Sequence, residues 1–224
     1  MQYTRENRVL CFVHNAKTAG TSILSTAFRD RPDKTFWYAH PGEKDWSECS
    51  PEYLSQFDFV GGHLPRAEFD QKITRPKLFM TIVREPVSRA FSLFSYMTSE
   101  SHHLRSELAD KGMLWALENH TIFQEQVFNQ QCWMIGGDQS FEAALDAIAA
   151  NDWILACHEQ ADRAWLRACL AMGWPASELR RENISQPGYQ DRLFDPRIVD
   201  ILESNNSEDR RLIDFVKKVS EIGA

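Results

Sequence analysis

The chain has 224 residues, of which 43% are hydrophobic and 25% charged. That balance fits one packed globular domain over residues 1–224 and excludes disordered, collagen-like and coiled-coil chains. A formal net charge of −7 argues against a surface built broadly for nucleic acid or anionic membrane, yet leaves room for a local anion site.

The first strong pattern is VLCFVH at Val9 to His14, an apolar β-prone run followed by the loop NAKTAG and the helix-compatible TSILSTAFR. Arg29 to Pro51 lacks a clean period and reads as an irregular excursion whose tryptophans imply packing. DFVGGH at Asp58 to His63 is a short strand candidate. KLFMTIV at Lys77 to Val83 reads as a buried strand, followed by REP and the helical VSRAFSLFSYM, with Pro86 where a first-turn proline is tolerated. Ser101 to His120 is polar and rich in histidine. Ile122 to Ile135 and Phe141 to Ala150 read as helices, the second capped by Ser140. WILAC at Trp153 to Cys157 is another strand, and His158 to Met172 is helical with a stop at Gly173 and Pro175. Asp195–Pro196 and Ser207–Glu208–Asp209 start two last helices. Strands alternating with helices predict an α/β fold: a P-loop-type parallel sheet flanked by helices, with additional helices in the middle and C-terminal parts.

The five cysteines, Cys11, Cys49, Cys132, Cys157 and Cys169, form no C-x-x-C pair and no metal-like cluster with histidine. They read as reduced, buried thiols, and no metal is expected. No apolar stretch approaches the roughly 18 to 20 residues of a membrane helix, and MQYTRENRVL lacks a signal-peptide core. The expectation is a protein without a membrane span. The N-x-S triplets at Asn183 and Asn205 read as loop or cap residues.

A strand running through a small-residue loop into a helix is a physical anion trap, because unpaired N–H groups and the helix dipole both favour negative charge there. Here the loop adds Lys17, the hydroxyls of Thr18, Thr21 and Ser22, and Gly20, which is expected to let backbone approach the ligand. It is not the nucleotide triphosphate loop G-x-x-x-x-G-K-[ST]. When Gly20 is aligned with that motif's second glycine, Thr21 falls where the lysine belongs.

FVHNAKTAGTS, Phe12 to Ser22, resembles the 5′-phosphosulfate loop of sulfotransferases that use 3′-phosphoadenosine 5′-phosphosulfate (PAPS). FMTIVREPVSRAFSLFSYM, Phe79 to Met97, resembles their 3′-phosphate segment, with Arg84 and Ser92 at the required spacing of eight. GGHLP, Gly61 to Pro65, is similar to an element of the carbohydrate-type, uronyl 2-O-sulfotransferase-like branch. NQQCWMIGG, ENISQPG and NNSEDRRLIDFV echo its later blocks. Ala16 replaces the usual proline and Glu85 the usual aspartate.

The resemblance implies a single sulfotransferase-like domain with PAPS as donor, PAP (3′-phosphoadenosine 5′-phosphate) as product, and no metal. Ala16, Lys17, Thr18, Ala19, Gly20, Thr21 and Ser22 would cradle the 5′-phosphosulfate, and Arg84 and Ser92 the 3′-phosphate. Lys17 would stabilise the leaving oxygen and His63 would take the acceptor's proton. The acceptor is expected to be a hydroxyl compound, a sugar or glycan, met by loops in Arg29 to Pro51 and Ser101 to His120. Arg66 reads either as a contact for an acidic acceptor or as an exposed surface residue, Ser88 as an alternative donor contact or a structural residue, and His14 as a packing or hydrogen-bonding residue. A P-loop kinase or nucleotide hydrolase, with Glu85 as its one weak metal-binding acid, and a non-catalytic phosphonucleotide binder are the alternatives. The donor loop starts close to Met1 with no anchor before it, so a bacterial-type cytoplasmic enzyme is the expected setting. Oligomeric state is not encoded in any motif.

Overall fold

A computed structural model describes residues 7–180 and 195–222. ENISQPG and Asn183 lie outside the described residues. The strands are β1 (Val9–Val13), β2 (Thr35–Trp37), β3 (Phe59–Gly62), β4 (Lys77–Val83) and β5 (Trp153–Cys157). The helices are α1 (Gly20–Asp30), α2 (Pro51–Leu54), α3 (Arg66–Lys72), α4 (Pro86–Met97), α5 (Arg105–Leu108), α6 (Gly112–Asn119), α7 (Thr121–Val127), α8 (Gln130–Gly136), α9 (Phe141–Ala149), α10 (Ala161–Met172), α11 (Pro196–Asn205) and α12 (Ser207–Ile222).

The five strands form one parallel sheet in the order β2-β3-β1-β4-β5. A parallel sheet is covered on both faces, so its strands are apolar throughout instead of alternating. Every residue of β1 is buried. Leu10 and Phe12 point into a layer shared with Ile23 and Leu24 of α1 and Trp165 of α10. Val9, Cys11 and Val13 point the other way, into a layer with Phe36, Trp46, Phe69 and Met134. Each fully buried large apolar side chain contributes about 1.5–3 kcal/mol of transfer free energy, so the sheet with its two layers dominates stability. A third cluster packs α4 against α5, α6, α7 and α11, and a fourth joins β5 to α8, α9 and α12.

The strand order reverses around β1, whose neighbours are β3 and β4. In open α/β sheets ligands bind at such a reversal, beyond the carboxyl ends of the strands. Register aligns Val13 with Gly62, and Val83 with Cys157. The residues that follow, His14 to Ala19, His63, Arg84 and His158, therefore emerge at one edge of the sheet.

Three local expectations change. Arg29 to Pro51 contains an edge strand, β2, because Thr35 and Phe36 are buried against β3. The single helix expected over Ile122 to Ile135 is two. Asn129 sits at φ 45° between them, and its side-chain oxygen accepts the N–H groups of Glu208 and Asp209, both at 3.1 Å. His158 to Gln160 form a 3₁₀ turn before α10. The other boundaries follow their signals: Ser140 caps α9, Gly173 ends α10 in the left-handed region, and Asp195 caps α11. All five thiols are buried and unpaired. No helix among the described residues is long and apolar enough to cross a membrane.

Candidate active site

The first loop is pinned to the sheet from below. Asn15, fully buried, donates to the Thr81 hydroxyl at 3.0 Å and the Ile82 carbonyl at 3.2 Å, while Thr81 donates to the Val13 carbonyl at 2.8 Å. Thr18, also buried, donates back to the Asn15 carbonyl at 2.7 Å. Thr18 is thus a structural strut of the loop. These bonds hold Lys17 and Ala19 at φ 68° and 67°, a left-handed conformation that costs a non-glycine residue about 1–2 kcal/mol. None of the amides of Ala16 to Thr21 donates a hydrogen bond of ordinary geometry within the described chain. The N-terminus of α1 has no side-chain cap and no acidic residue in its first turn. The loop therefore presents a row of unspent donors at a positive dipole end.

Gly20 has a different role from the one its sequence suggests. A Cβ there would lie 1.9 Å from the His14 ring, so the space is kept for the protein's own imidazole. His14 is buried, its ring stacks on Phe12 on one side and on His63 on the other (centroids 5.5 and 4.0 Å apart), and its Nδ1 has no partner. Burial first, then the neighbouring His63 and Lys17, hold it well below the ordinary histidine pKa. It is a neutral packing residue.

The second segment faces the first loop along one stripe of α4. Arg84, Ser88, Ser92 and Tyr96 recur at four-residue spacing, which places the last three on one helix face. Arg84 Nε donates to Ser88 Oγ at 3.0 Å, and its Nη1 donates to the Lys17 carbonyl at 3.1 Å. The Lys17 ammonium lies 4.7 Å from the Tyr96 ring centroid. Partial burial, followed by repulsion from Arg84, lowers the Lys17 pKa. Burial also lowers that of Arg84, with Glu159 and Glu85 opposing. An anion beside these two mutually repelling cations would be stabilised by both.

The N-terminus of α4 is not open as that of α1 is. Glu85 accepts the N–H groups of Val87 at 3.2 Å and Ser88 at 2.7 Å and pairs with Arg210 at 2.9 Å. Any anion at this second turn meets side chains, Arg84 with the hydroxyls below it, because the backbone donors are taken. Of those hydroxyls, Ser88 is the one bonded to Arg84; the Ser92 hydroxyl has no partner among the described residues and lies half-buried one turn further on.

His63 completes the cluster. Its Nδ1 lies 3.0 Å from the His14 carbonyl, and a carbonyl can only accept, so Nδ1 carries the proton and Nε2 has a free lone pair. Its pKa is lowered, by burial first and by Lys17, with the carbonyl bond opposing. The residue is nevertheless exposed, so the ring is open to solvent as well as packed on His14. A neutral, oriented imidazole with its lone pair outward is the state a general base requires.

Two supporting residues carry no sequence motif. Gln131, buried, accepts the Arg84 N–H at 2.9 Å and donates to the Arg84 carbonyl at 3.0 Å. Its amide also donates to the buried Asp209 at 3.1 Å, and Asp209 further accepts the backbone N–H groups of Gln131 and Cys132 at 3.2 and 2.8 Å. The chain Asp209–Gln131–Arg84 fixes the turn after β4 from α12, 125 residues away in sequence. NQQCWMIGG and the α12 segment stand out in the sequence only as loose blocks, and neither names a role for Gln131 or Asp209.

The remaining candidates separate. Ala16 packs against the α4 cluster, Thr21 is half-exposed at the head of α1, and Ser22 is buried. Arg66 donates through Nε to the Ile135 carbonyl at 2.9 Å and through Nη1 to Asp70, which anchors the guanidinium on helix α3. His102 and His103 stack on each other, and His102 meets Tyr96 edge-on.

The chain matches no protein-family model and no curated protein sequence. Among solved structures it is similar to a sulfotransferase from Alicyclobacillus acidocaldarius, with 16% identity, 90% of this chain and 96% of that chain covered, and a TM-score of 0.46. It is also similar to the mouse sulfotransferase SULT7A1 complexed with PAP, with 15% identity, 92% and 67% covered, and a TM-score of 0.41. Both likenesses are distant in sequence and in backbone.

Proposed function

We propose that this protein, as one domain over residues 1–224, transfers a sulfuryl group from PAPS to an acceptor hydroxyl. The observation that carries the reading is the Arg84 bond to the Lys17 carbonyl, with the Lys17 ammonium over Tyr96 of the same helix. It joins the two segments whose sequences resemble the phosphosulfate and 3′-phosphate sites of PAPS enzymes. The donor has an anionic group at each end, and the two segments supply two cationic sites side by side.

In the reaction, the acceptor oxygen attacks sulfur and its proton passes to His63 Nε2. The bond from sulfur to the bridging oxygen breaks in line, and that oxygen leaves as the 5′-phosphate of PAP. Charge grows on the bridging oxygen, where Lys17 and the loop amides of Ala16 to Thr21 meet it. Arg84, with Ser88 and Ser92, holds the 3′-phosphate, a planar guanidinium fork suiting paired oxygens. Transfer by positioning and charge needs no covalent intermediate, by analogy with phosphoryl transfer. Glu85, the acid a magnesium-dependent nucleotide hydrolase would need, is committed to capping α4 and to Arg210.

Thermal-shift titration tests the donor site. PAP is expected to raise Tm without magnesium and ATP with magnesium to have little effect; the opposite order overturns the reading.

A further inference from the structure

Beside His63 lies a shallow, widely open cleft of about 560 Å³. His63 lines it together with Tyr38, Trp46 and Trp133. Trp133 is 40% exposed, which leaves an indole face unpartnered at the rim. Two carboxylates, Asp45 and Glu68, stand in the same wall. Asp45 Oδ1 accepts the Ser47 N–H at 2.9 Å and O–H at 2.6 Å, and Glu68 Oε2 accepts the Trp46 indole N–H at 2.8 Å. Each keeps its second oxygen as an unused acceptor. Lys72, the one cation of the lining, donates to the backbone carbonyls of Trp46 and Cys49, so the wall holds two carboxylates against one ammonium. Arg66, on the adjoining helix α3, is bound to Ile135 and Asp70 as described.

An ionised carboxylate only accepts hydrogen bonds, so this wall suits a ligand that offers O–H groups and repels one that carries carboxylate or sulfate. An exposed aromatic face meets the apolar C–H face of a sugar ring. We propose that this cleft is the acceptor site and that it takes an uncharged pyranoside, with its ring on Trp133 and its hydroxyls on Asp45 and Glu68, and discriminates against uronides. This deepens the transfer reading and rests on it for the role of His63.

The test is a binding titration of the PAP-saturated protein with phenyl β-glucoside, β-galactoside and β-mannoside, each paired with its uronide. At least one neutral member is expected to bind, and in that pair the neutral member is bound at least fivefold tighter. Trp133→Ala should weaken it about tenfold. The double change Asp45→Asn with Glu68→Gln should bring the neutral-to-uronide ratio below twofold. An unchanged PAP-induced Tm rise in both variants shows that they are folded. Binding of no pyranoside, preference for the uronide, or binding insensitive to both variants overturns the proposal. If PAP itself gives no Tm rise while neutral sugar binds the cleft, the transfer reading fails and the cleft assignment stands; if PAP binds and the uronide wins, the reverse holds.

Discussion

The two sides of His63 are built on opposite principles. On the side proposed for the donor, two strand–loop–helix units supply Lys17, Arg84 and a row of unspent amides, a concentrated positive region in a chain of net charge −7. On the cleft side, Tyr38, Asp45, Trp46, Glu68 and Trp133 come from three separated stretches of chain, and the carboxylates of Asp45 and Glu68 outnumber the one ammonium, Lys72. One histidine touches both, its Nδ1 anchored to the first loop and its residue lining the cleft. The contrast teaches that an anion site can be encoded locally, because backbone amides and a helix end supply most of it. A site that recognises the rest of a substrate is assembled by packing.

Four changes break or sharpen that contrast. His63→Ala, at the junction, is expected to lower kcat by about 10²–10⁴-fold while the PAP-induced Tm rise persists; near-normal turnover moves the base elsewhere. Lys17→Ala, confined to the donor side, should cost about 10²–10³-fold in rate and weaken PAP in a titration, yet leave sugar binding in the cleft intact. Equal damage to both sides would erase the distinction.

Gln131→Leu acts on the donor side at one remove. It removes both bonds to the Arg84 backbone and leaves Asp209 with fewer donors, so urea unfolding should show a loss of about 1–3 kcal/mol. The KM for PAPS should rise while kcat at saturating donor changes little. A stability loss with unchanged KM would make Gln131 a scaffold residue only.

The smallest effect is in pH. The folded-state pKa of His14 is depressed, chiefly by burial, below the ordinary 6.5, so the folded protein binds fewer protons than the unfolded chain in acid. Stability is therefore complete above about pH 6.5 and falls as pH drops below it, by at most about 1.4 kcal/mol per unit for this histidine. Urea midpoints at pH 7.5, 6.0 and 5.0 should show the slope, and His14→Gln should flatten it. The transfer rate should likewise hold through neutral pH and decline only below the ordinary histidine range, since His63 is depressed too.

The sequence by itself determined the parallel α/β fold, four of the five strands and the pairing of loop with helix at Gly20 and Pro86. These depend on apolar runs and on cap chemistry that acts within a few residues. His63 and Arg84 were legible as candidates for the same reason, each following directly on the last residue of a strand, and Lys17 because its loop joins a strand to a helix. Strand β2 was not, because three residues carry no period and owe their form to Phe59 and Val60 beside them. Tertiary structure alone decided that Gly20 makes room for His14, that Glu85 closes the α4 terminus, that Arg66 is anchored to Ile135 and Asp70, and that Ser88 is the hydroxyl on Arg84. It also decided the Asp209–Gln131 support and the cleft. Those contacts join residues far apart in the chain, and side-chain meetings at that separation are set by how layers pack, which no local pattern records.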